Sequence, residues 1–516
     1  MPTDRRTFLA SMLGAVALPA LDVLDRTNAG KAARLEADPR RPQYHLLPAA
    51  NWMNDPNGPV YWDGSYHMFY QYNPDAAVWG DMHWGHAISP DMIHWHHLPV
   101  ALAPTPGGPD ESGCFSGSAV IDGDRVAVVY TGVVAAPETK ATLRDGAHSY
   151  KETQCLAFGT GKDLSTWTKV PQPVVAAPPA EINVTGFRDP SAWRHGDRWY
   201  MTVGSGVRGK HGCVLLYEST DLQHWRYLHM VASGEDVAGQ SANPVESGDM
   251  WECPELFPLG EKHVLIYSTQ GKSFWQSGVL NPETLIFQPE QRGLLDWGAY
   301  YAPKTQLDKS GNRILWGWIQ ETRPVEEYRA AGWAGMMSLP RILTLEDGVL
   351  NMQAASEAEA LRQRPQNFSS SADEDRNQRQ IASMRVKGVC GEILCVTRPG
   401  TTTFEFALAD SQDDDAHPWL SVRYDPSNPD QTMVDGKPLP VGTTPTGELE
   451  LHLYLDGSVI ELFINRKAAF TKRFYYGGSR APSAGMRITG QTSLISTLSV
   501  WPLTPISRDR LTGVTS

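Results

Sequence analysis

The sequence has little cysteine, little positive charge and, beyond its N-terminus, no long apolar run. Six cysteines in 516 residues are too few for a disulfide-stabilised scaffold, and no spacing of cysteine and histidine predicts a zinc site. A net charge of -13 and an isoelectric point near 5.6 argue against nucleic acid or an anionic membrane surface as the main partner. No later segment is apolar enough to predict a membrane span. A neutral ligand fits this composition better.

The N-terminal segment MPTDRRTFLASMLGAVALPALDVLD places Arg5 and Arg6 ahead of a short apolar run. It resembles a twin-arginine export signal, an address for a route that passes folded proteins. An ordinary N-terminal helix is the alternative. We expect residues 1–35 to be a leader and the protein to be exported to the periplasm or the medium, with the cleavage point left open.

A short pattern of Asp, an apolar residue, two variable residues and Trp occurs three times. The copies are SPDMIHWHHLP, GKDLSTWTKVP and STDLQHWRYLH, centred on Asp91, Asp163 and Asp221. Their uneven spacing lies in the range of one propeller blade plus inserted loops. We expect these carboxylates to bond turn backbone and to have a structural role.

Five segments have the pattern of a β-hairpin, two short apolar runs around Gly, Asp or Asn. They are NDPNGPVYWDGSYHMFYQY, FSGSAVIDGDRVAVVYTG, RDPSAWRHGDRWYMTVGS, CPELFPLGEKHVLIYS and YYAPKTQLDKSGNRILWGW. With the Asp-Trp turns, they predict a five-bladed β-propeller over residues 40–345, with antiparallel sheets around a central channel. A plain β-sandwich or barrel is the alternative.

The pattern changes after the propeller segment. Residues 346–384 are polar, lack strand alternation and are predicted to form a linker. Residues 385–516 alternate with period two, which predicts a C-terminal β-sandwich and makes the whole chain all-β. Cys390 and Cys395, in CGEILC, are close enough for a local disulfide and could equally be two buried thiols.

Three of the five hairpins begin with an acidic residue near a proline: Asp55-Pro56, Asp189-Pro190 and Glu252-Cys253-Pro254. The first strand of a propeller blade lines the channel, so we expect the three carboxylates to converge there. Such a set is a candidate for glycoside hydrolysis, which needs a nucleophile or base and a proton donor.

The sequence neighbours of Asp55 and Glu252 suggest which of them is the nucleophile or base and which is the proton donor. Trp251 and Cys253 are apolar neighbours of Glu252 and favour it as the proton donor, because a donor needs a raised pKa. Asn54 and Asn57 beside Asp55 favour the ionised form. Glu255 is the alternative acid, but three residues along an extended strand place it on the opposite face from Glu252.

Four motifs in order, NWMNDPNG, GCFSGSAV, FRDP and WECPELF, resemble the family-32 glycoside hydrolases: invertases, inulinases, levanases and fructan hydrolases. The resemblance implies a five-bladed propeller followed by a β-sandwich. It implies that Asp55 is the nucleophile, Glu252 the acid/base, and Asp189, beside Arg188, the residue that holds fructosyl hydroxyls and stabilises the transition state. The further positions that match the fructose subsite are Asn54, Gln71, Trp79, Phe115, Ser116, Asp296 and Trp318.

The function that follows is a retaining β-fructosidase, which releases terminal fructose from sucrose or fructans through a covalent fructosyl-enzyme. A fructosyltransferase using the same site and a non-catalytic sugar-binding propeller are the alternatives. The resemblance implies no cofactor and no metal, and we prefer hydrogen-bonding roles for the histidines of MHWGH and IHWHHL. The expected partner is a small sugar or oligosaccharide, and the protein is expected to be a monomer or a homodimer.

Overall fold

The computed structural model describes residues 30–507, with gaps at 31, 145, 147, 235–247, 413–416, 443 and 445. Nearly all of the regular structure is β-strand, as the sequence predicts. The predicted export signal lies outside the described residues except for its last few positions. Within the described part, no helix is long and apolar enough to cross a membrane.

Strands β1 to β24 form five sheets that are antiparallel and follow chain order, except that β21 pairs in parallel with β1 in the first sheet. The first contains β1 (Asn51–Pro56), β2 (Val60–Trp62), β3 (Ser65–Asn73), β4 (His83–Ser89) and β5 (His96–Leu102). The second contains β6 (Gly113–Asp122), β7 (Arg125–Ala135), β8 (Leu143–Arg144), β9 (Ser149–Thr160) and β10 (Thr166–Lys169). The third contains β11 (Val184–His195), β12 (Arg198–Val207), β13 (His211–Ser219) and β14 (Trp225–Ser233).

The fourth sheet contains β15 (Glu252–Leu259), β16 (Lys262–Thr269), β17 (Lys272–Leu280) and β18 (Phe287–Leu294). The fifth contains β19 (Tyr300–Leu307), β20 (Arg313–Ile319), β22 (Met336–Met337), β23 (Arg341–Glu346) and β24 (Val349–Ala354). The short helix α1 (Val325–Ala331) and β21 (Trp333–Ala334) lie between β20 and β22. Strand β24 falls within the predicted linker but is the outermost strand of this sheet.

The five sheets are arranged in a ring because each shares a buried apolar cluster with the next. The cluster between the first and second sheets includes Phe69 and Val128, and corresponding clusters join the second to the third, the third to the fourth and the fourth to the fifth. The cluster that contains Met68 and Trp316 joins the fifth sheet back to the first. Burial of these apolar side chains between sheets is the main favourable term that holds the ring together.

Two short strands, β21 and β22, close the ring by joining the first sheet to the fifth. Strand β21 pairs in parallel with β1, and β22 pairs with β20, so one short segment bonds to both the first and the fifth sheets. Gly335 lies between the two strands with φ of +76°, and a Cβ there would lie 1.9 Å from the Met53 carbonyl oxygen. Only glycine permits so close an approach of two backbones.

The repeated Asp-Trp pattern forms the same turn in three sheets, which confirms the structural role predicted for its aspartates. Asp91 Oδ1 accepts hydrogen bonds from two backbone N–H groups, and Asp221 Oδ1 does the same. Asp163 Oδ1 accepts from the backbone of Ser165. In each copy the Trp indole donates to the carbonyl of the residue after the Asp, at 2.7–2.9 Å.

The C-terminal part is a sandwich of two six-stranded sheets around one apolar core. The strands of one sheet are β25 (Gln366–Asn367), β27 (Cys390–Thr397), β32 (Leu449–Asp456), β33 (Val459–Ile464), β34 (Ala468–Arg473) and β36 (Ile495–Pro502). Those of the other are β26 (Arg385–Lys387), β28 (Phe404–Asp410), β29 (Leu420–Tyr424), β30 (Thr432–Val434), β31 (Lys437–Leu439) and β35 (Ser483–Thr489). The rest of the predicted linker forms a 3-10 turn, Ser356–Leu361, strand β25 and helix α2, Glu374–Ser383.

Cys390 and Cys395, whose pairing the sequence left open, are both buried thiols that form no disulfide. They lie five residues apart on the same strand, β27, so their side chains point to opposite faces and cannot be bridged. The other four cysteines are also buried thiols without a disulfide.

A buried ionic network joins the ring to the sandwich. Arg341 from β23 is fully buried and donates to Asp296 at 2.9 Å and to Glu461 of β33. His45 lies between Glu461 and Asp456, with each ring nitrogen 2.9 Å from a carboxylate oxygen. Burial alone lowers the pKa of His45, but the two carboxylates outweigh it and raise the pKa to about 9. His45 is therefore protonated at neutral pH and part of the interface.

Candidate active site

The first strands of the five sheets, β1, β6, β11, β15 and β19, carry the same irregularity at the same place. In each, one extra residue is inserted relative to the neighbouring strand, which is a β-bulge. The bulges lie between Met53 and Pro56, Cys114 and Gly117, Arg188 and Ser191, Glu252 and Glu255, and Tyr301 and Lys304. Strands β6, β11, β15, β19 and β1 are neighbours in that order. A hydrogen bond from Ser116 to Asp55 links β6 back to β1, so the five bulges face a common space.

Each bulge contributes one or two side chains to a single pocket of about 350 Å³. The pocket is lined by Trp52, Asn54, Asp55, Gln71, Trp79, Phe115, Ser116, Leu143, Arg188, Asp189, Glu252, Tyr301 and Trp318. The three predicted carboxylates, from three different sheets, therefore meet in one place. The buried thiol of Cys253 connects two of them, with Sγ 3.6 Å from an Asp55 oxygen and 3.5 Å from an Asp189 oxygen.

Asp55 is held rigidly by two neighbours. Ser116 Oγ donates to one carboxylate oxygen at 2.7 Å, and Asn54 Nδ2 donates to the other at 3.0 Å. Trp52 in turn donates its indole N–H to the Asn54 oxygen at 2.7 Å, which fixes the amide orientation. The sequence predicts that such donors favour the ionised form, but burial outweighs them and raises the pKa of Asp55. The opposing hydrogen bonds lower it, and the charge of Glu252 adds to the rise.

Asp189 occupies the left-handed region of the backbone, with φ of +62°. Its carboxylate accepts the backbone N–H of Cys253 at 3.0 Å, and its own N–H donates to Thr131 Oγ1 at 2.9 Å. Burial raises the pKa of Asp189 to about 7, against the pull of Arg188 and with further rises from the charges of Glu252 and Asp55. Asp189 therefore carries a proton in a large fraction of molecules at neutral pH.

Glu252 has a polar setting, contrary to the apolar one predicted from its sequence neighbours. Arg188 donates Nε and Nη2 to the same Glu252 oxygen, Oε1, at 3.1 and 2.7 Å. The Tyr301 hydroxyl donates to Oε2. Trp251 stacks on Tyr267 instead, with ring centroids 3.9 Å apart. The Cys253 thiol is directed at Asp55 and Asp189, so neither sequence neighbour gives Glu252 an apolar setting.

Glu255 lies away from the pocket. Its carboxylate accepts the backbone N–H of Thr305 at 2.7 Å and lines a separate cavity farther along the first strands. The bulge between Glu252 and Glu255 changes the alternation of side chains at that point, so their spacing on a regular strand does not decide which of them faces the pocket. Glu252 is the acidic side chain of β15 that faces the other two carboxylates.

The remaining predicted subsite residues lie in the pocket with one exception. Gln71 donates its amide to the Cys114 carbonyl at 2.9 Å, and Trp79, 39% exposed, packs its edge against Phe115 at the rim. Trp318 packs against Trp52 with ring centroids 5.9 Å apart. These rings give the pocket apolar surfaces of the kind that suit the faces of a sugar.

Asp296 is the exception, and its predicted place in the pocket is wrong. Its carboxylate is fully buried, accepts the backbone N–H and the hydroxyl of Thr471 from β34, and pairs with Arg341. The segment that precedes β19 runs along the edge of the sandwich, and Gly298 leaves no room for a Cβ against Thr471. Asp296 therefore belongs to the domain interface.

Three pocket residues were not predicted: Trp52, Leu143 and Tyr301. Tyr301 opens the bulge of β19, the position that Arg188 and Glu252 occupy in β11 and β15. Aligning the five hairpins would have revealed it. Leu143 comes from the short β8 hairpin, for which the sequence carries no strand signal.

The histidine-rich stretches supply two buried strand residues, His86 and His97. His86 lies in β4 and its Nε2 is 3.0 Å from Nδ1 of His67, while His97 Nδ1 is 3.1 Å from the Tyr70 hydroxyl. Among the residues that the structure describes, no three or more His, Cys, Asp or Glu side chains are grouped so as to hold a metal ion.

Comparison with known families identifies this arrangement. Residues 45–355 match the Glycosyl hydrolases family 32 N-terminal domain, and residues 357–502 match the Glycosyl hydrolases family 32 C terminal. The chain belongs to glycoside hydrolase family 32. It is a glycoside hydrolase, and its ring of sheets and its sandwich are the β-propeller and β-sandwich of that family.

Individual relatives agree with the family assignment. The chain is 41% identical over 344 residues to the sucrose-6-phosphate hydrolase of Escherichia coli. The aligned region covers 64% of this chain and 67% of that enzyme. It is 31% identical over 500 residues to the sucrose-6-phosphate hydrolase of Bacillus subtilis, which covers 90% of this chain and 95% of that one.

The fold is also similar to a solved structure, a mutant of the Bombyx mori GH32 β-fructofuranosidase in complex with sucrose. The TM-score is 0.71 at 30% identity, over 91% of this chain and 97% of that one.

Proposed function

We propose that this family-32 hydrolase is a retaining β-fructofuranosidase that releases terminal β-D-fructofuranosyl residues from sucrose and fructans. The observation that carries the proposal is the meeting of Asp55, Asp189 and Glu252, from three sheets, in one pocket lined with aromatic rings. Two close carboxylates, one to attack and one to move protons, are what retaining glycoside hydrolysis requires. The sucrose bound to the Bombyx mori relative supports the choice of substrate.

The reaction has two balanced steps. Asp55 attacks the anomeric carbon of fructose, the glycosidic bond breaks, and Glu252 gives its proton to the departing oxygen. Glu252, now ionised, then removes a proton from water; the water oxygen bonds to the anomeric carbon, and Asp55 leaves as a carboxylate. Ser116 and Asn54 hold Asp55 in position for attack through their hydrogen bonds.

Asp189 and Arg188 stabilise the reacting sugar in this proposal. Asp189, with a pKa near 7, offers both a protonated and an ionised form for hydrogen bonds with fructosyl hydroxyls. The rings of Trp52, Trp79 and Trp318 surround the sugar with the other subsite residues, Gln71 and Phe115. The pocket volume lies near the lower end of the ~300–1,000 Å³ range of small-molecule sites, which favours one terminal sugar over an internal segment of a long chain.

Unphosphorylated substrates are favoured over sucrose 6-phosphate, although several relatives, including both compared by sequence above, are named sucrose-6-phosphate hydrolases. Among the described residues that line the pocket, Arg188 is the one cationic side chain, and both of its ends are already paired, with Glu152 and with Glu252. A phosphate on the leaving sugar would approach the side of the pocket on which Glu252 lies, without a free cation among the described pocket-lining residues to pair with it.

Two finer assignments belong to the same proposal. The five sheets are five blades of the propeller, supported by the common bulge and by the apolar cluster between each sheet and the next. The protein is exported by the route that Arg5 and Arg6 address. The sequence supports this, because Arg5 and Arg6 precede a short apolar run, as in a twin-arginine signal. Replacing both arginines by lysine should retain the enzyme inside the cells.

A substrate panel tests the proposed activity. Purified enzyme is incubated with sucrose, raffinose, inulin, levan and sucrose 6-phosphate, product sizes are resolved, and the first-formed anomer of fructose is identified by NMR. We expect free fructose with retained configuration, and the slowest turnover on sucrose 6-phosphate. No fructose from any substrate would support a sugar-binding protein without activity. Fructosylated oligosaccharides as the main products at high sucrose would support a transferase.

A further inference from the structure

Arg188 is shared between two carboxylates, and only one of them lines the pocket. Its Nε and Nη2 donate to Glu252, while Nη1 donates to Glu152 Oε1 at 2.9 Å. Glu152 comes from β9 in the second sheet and is fully buried, with no surface in the pocket. A buried carboxylate is costly unless it is paired, so this one has to be explained.

We propose that Glu152 is a positioning residue that aims Arg188 at Glu252 and sets the ease with which Glu252 holds its proton. The inference rests on the proposed role of Glu252 as acid and base. Two contacts carry it. Glu152 Oε1 holds one end of the guanidinium, and Oε2 accepts the backbone N–H of Phe187 at 2.7 Å, directly before the bulge that presents Arg188 and Asp189.

The charge of Glu152 has a definite effect on the acid. An arginine beside a carboxylate stabilises the ionised form and lowers its pKa, which works against a residue that must first donate a proton. Glu152 is an opposing negative charge on the far side of the same guanidinium, so it reduces the pull of Arg188 on Glu252. Glu152 therefore balances part of the charge of Arg188, which stays close enough to orient Glu252.

The other charged and titratable groups around this pair are few. They are Asp189 on β11, Asp55 on β1, the Tyr301 hydroxyl and Lys304 on β19, and Cys253 beside Glu252 on β15. Within the described residues, none of these groups hydrogen-bonds to Nη1 of Arg188, the end of the guanidinium that Glu152 contacts. The effect of Glu152 can accordingly be tested by removing its charge alone.

The test is the pH dependence of kcat/KM for sucrose in Glu152→Gln. This change removes the negative charge and keeps the size of the side chain. With the full charge of Arg188 then acting on Glu252, we expect the basic limb of the profile, where the acid loses its proton, to shift to lower pH by about one unit. An unchanged basic limb, or a shift to higher pH, in a folded variant would overturn the proposal.

Glu392→Gln is the matched control. Glu392 is also fully buried and paired with an arginine, Arg362, at 2.6 and 2.7 Å, but it lies in the sandwich. Losing a buried Glu–Arg pair should lower the stability of both variants. Only Glu152→Gln should change the pH profile, and a similar shift in the control would overturn the proposal.

Glu152→Asp provides a second readout if Glu152→Gln does not fold. It keeps the charge but draws it back by one methylene, which should misalign Arg188 and Glu252. We expect a larger fall in kcat on sucrose than on an aryl β-fructofuranoside, whose leaving group needs little protonation. An equal fall on both substrates would overturn the proposal. Near-full activity of Glu252→Gln on sucrose would instead remove the acid assignment itself.

Discussion

Replacing Asp189 by Asn should make the protein more stable at neutral and alkaline pH while abolishing most of its activity. Asp189 is 3% exposed, and burial beside two other carboxylates raises its pKa from 3.8 to about 7. Its folded form binds a proton more tightly than its unfolded form, so the wild-type protein loses stability as the pH rises from about 4 to about 7. The amide has no charge to bury, and asparagine tolerates the positive φ of this position.

The size of the stability difference follows from the difference between the folded and unfolded pKa values of Asp189. One pH unit in pKa is worth about 1.4 kcal/mol, so the gap between 3.8 and 7 corresponds to about 4 kcal/mol at most above pH 7. Asn can still accept the hydrogen bond from the Cys253 N–H, so little of this gain is offset. We expect the melting temperature of Asp189→Asn to exceed that of the wild type by up to about 4 °C at pH 8, and the two to converge near pH 4.

Thermal unfolding of both proteins at half-unit steps from pH 4 to pH 9 measures this gap. Asp221→Asn is the control, because the hydrogen bonds from His224 and its backbone lower the pKa of this turn aspartate. That variant should be less stable than the wild type at pH 8. If Asp189→Asn were no more stable than the wild type at pH 8, or if its advantage did not change with pH, the reasoning about this cluster would be refuted.

Three further outcomes are expected. His45→Gln should be less stable than the wild type below pH 6.5. It should also lack the loss of stability that the wild type shows as the pH rises through about 9, since His45 holds its proton up to that pH. Melting temperatures measured against pH would test both effects, and a wild-type curve that is flat from pH 7 to pH 10 would be evidence against this role of His45. Gly335→Ala should lower the melting temperature and the turnover of sucrose together, because a Cβ at φ of +76° would press on the strand that carries Asp55; an active variant of normal stability would contradict the closure of the ring described above. Glu255→Gln should keep its kcat on sucrose within about twofold, while Glu252→Gln should lose about a hundred- to ten-thousandfold; comparable losses would mean that the acid was misassigned.

The sequence predicts the fold well because the chain repeats itself. The five hairpins and the Asp-Trp turns at Asp91, Asp163 and Asp221 are local signals that recur, and the structure places them in successive sheets. Strands of two residues, such as β21 and β22, have no periodicity of their own and form only because the ring offers partners on both sides. Strand β24 was assigned to the linker because its short run lies in a polar region, and only its pairing with β23 makes it a strand.

A site residue could be predicted where its own strand determines its position, and could not be predicted where distant parts of the chain determine it. Asp55, Asp189 and Glu252 each open a hairpin beside a proline, and the pocket follows from that common position. The place of Asp296 depends on the sandwich, nearly two hundred residues later in the chain, so no local pattern could reveal it. The surroundings of Glu252 were misjudged because its hydrogen-bonding neighbours, Arg188 and Tyr301, come from other sheets and not from the adjacent sequence.

The division of labour between Asp55 and Glu252 is tested most directly by trapping the covalent intermediate. Glu252→Gln is mixed with an aryl β-D-fructofuranoside, quenched in acid and analysed by intact mass and peptide mapping. The first step needs little acid on this substrate while the second still needs a base, so a fructosyl-enzyme should accumulate, with one fructosyl group on the peptide that contains Asp55. Full aryl release without any adduct, or an adduct on a peptide that lacks Asp55, would contradict this account.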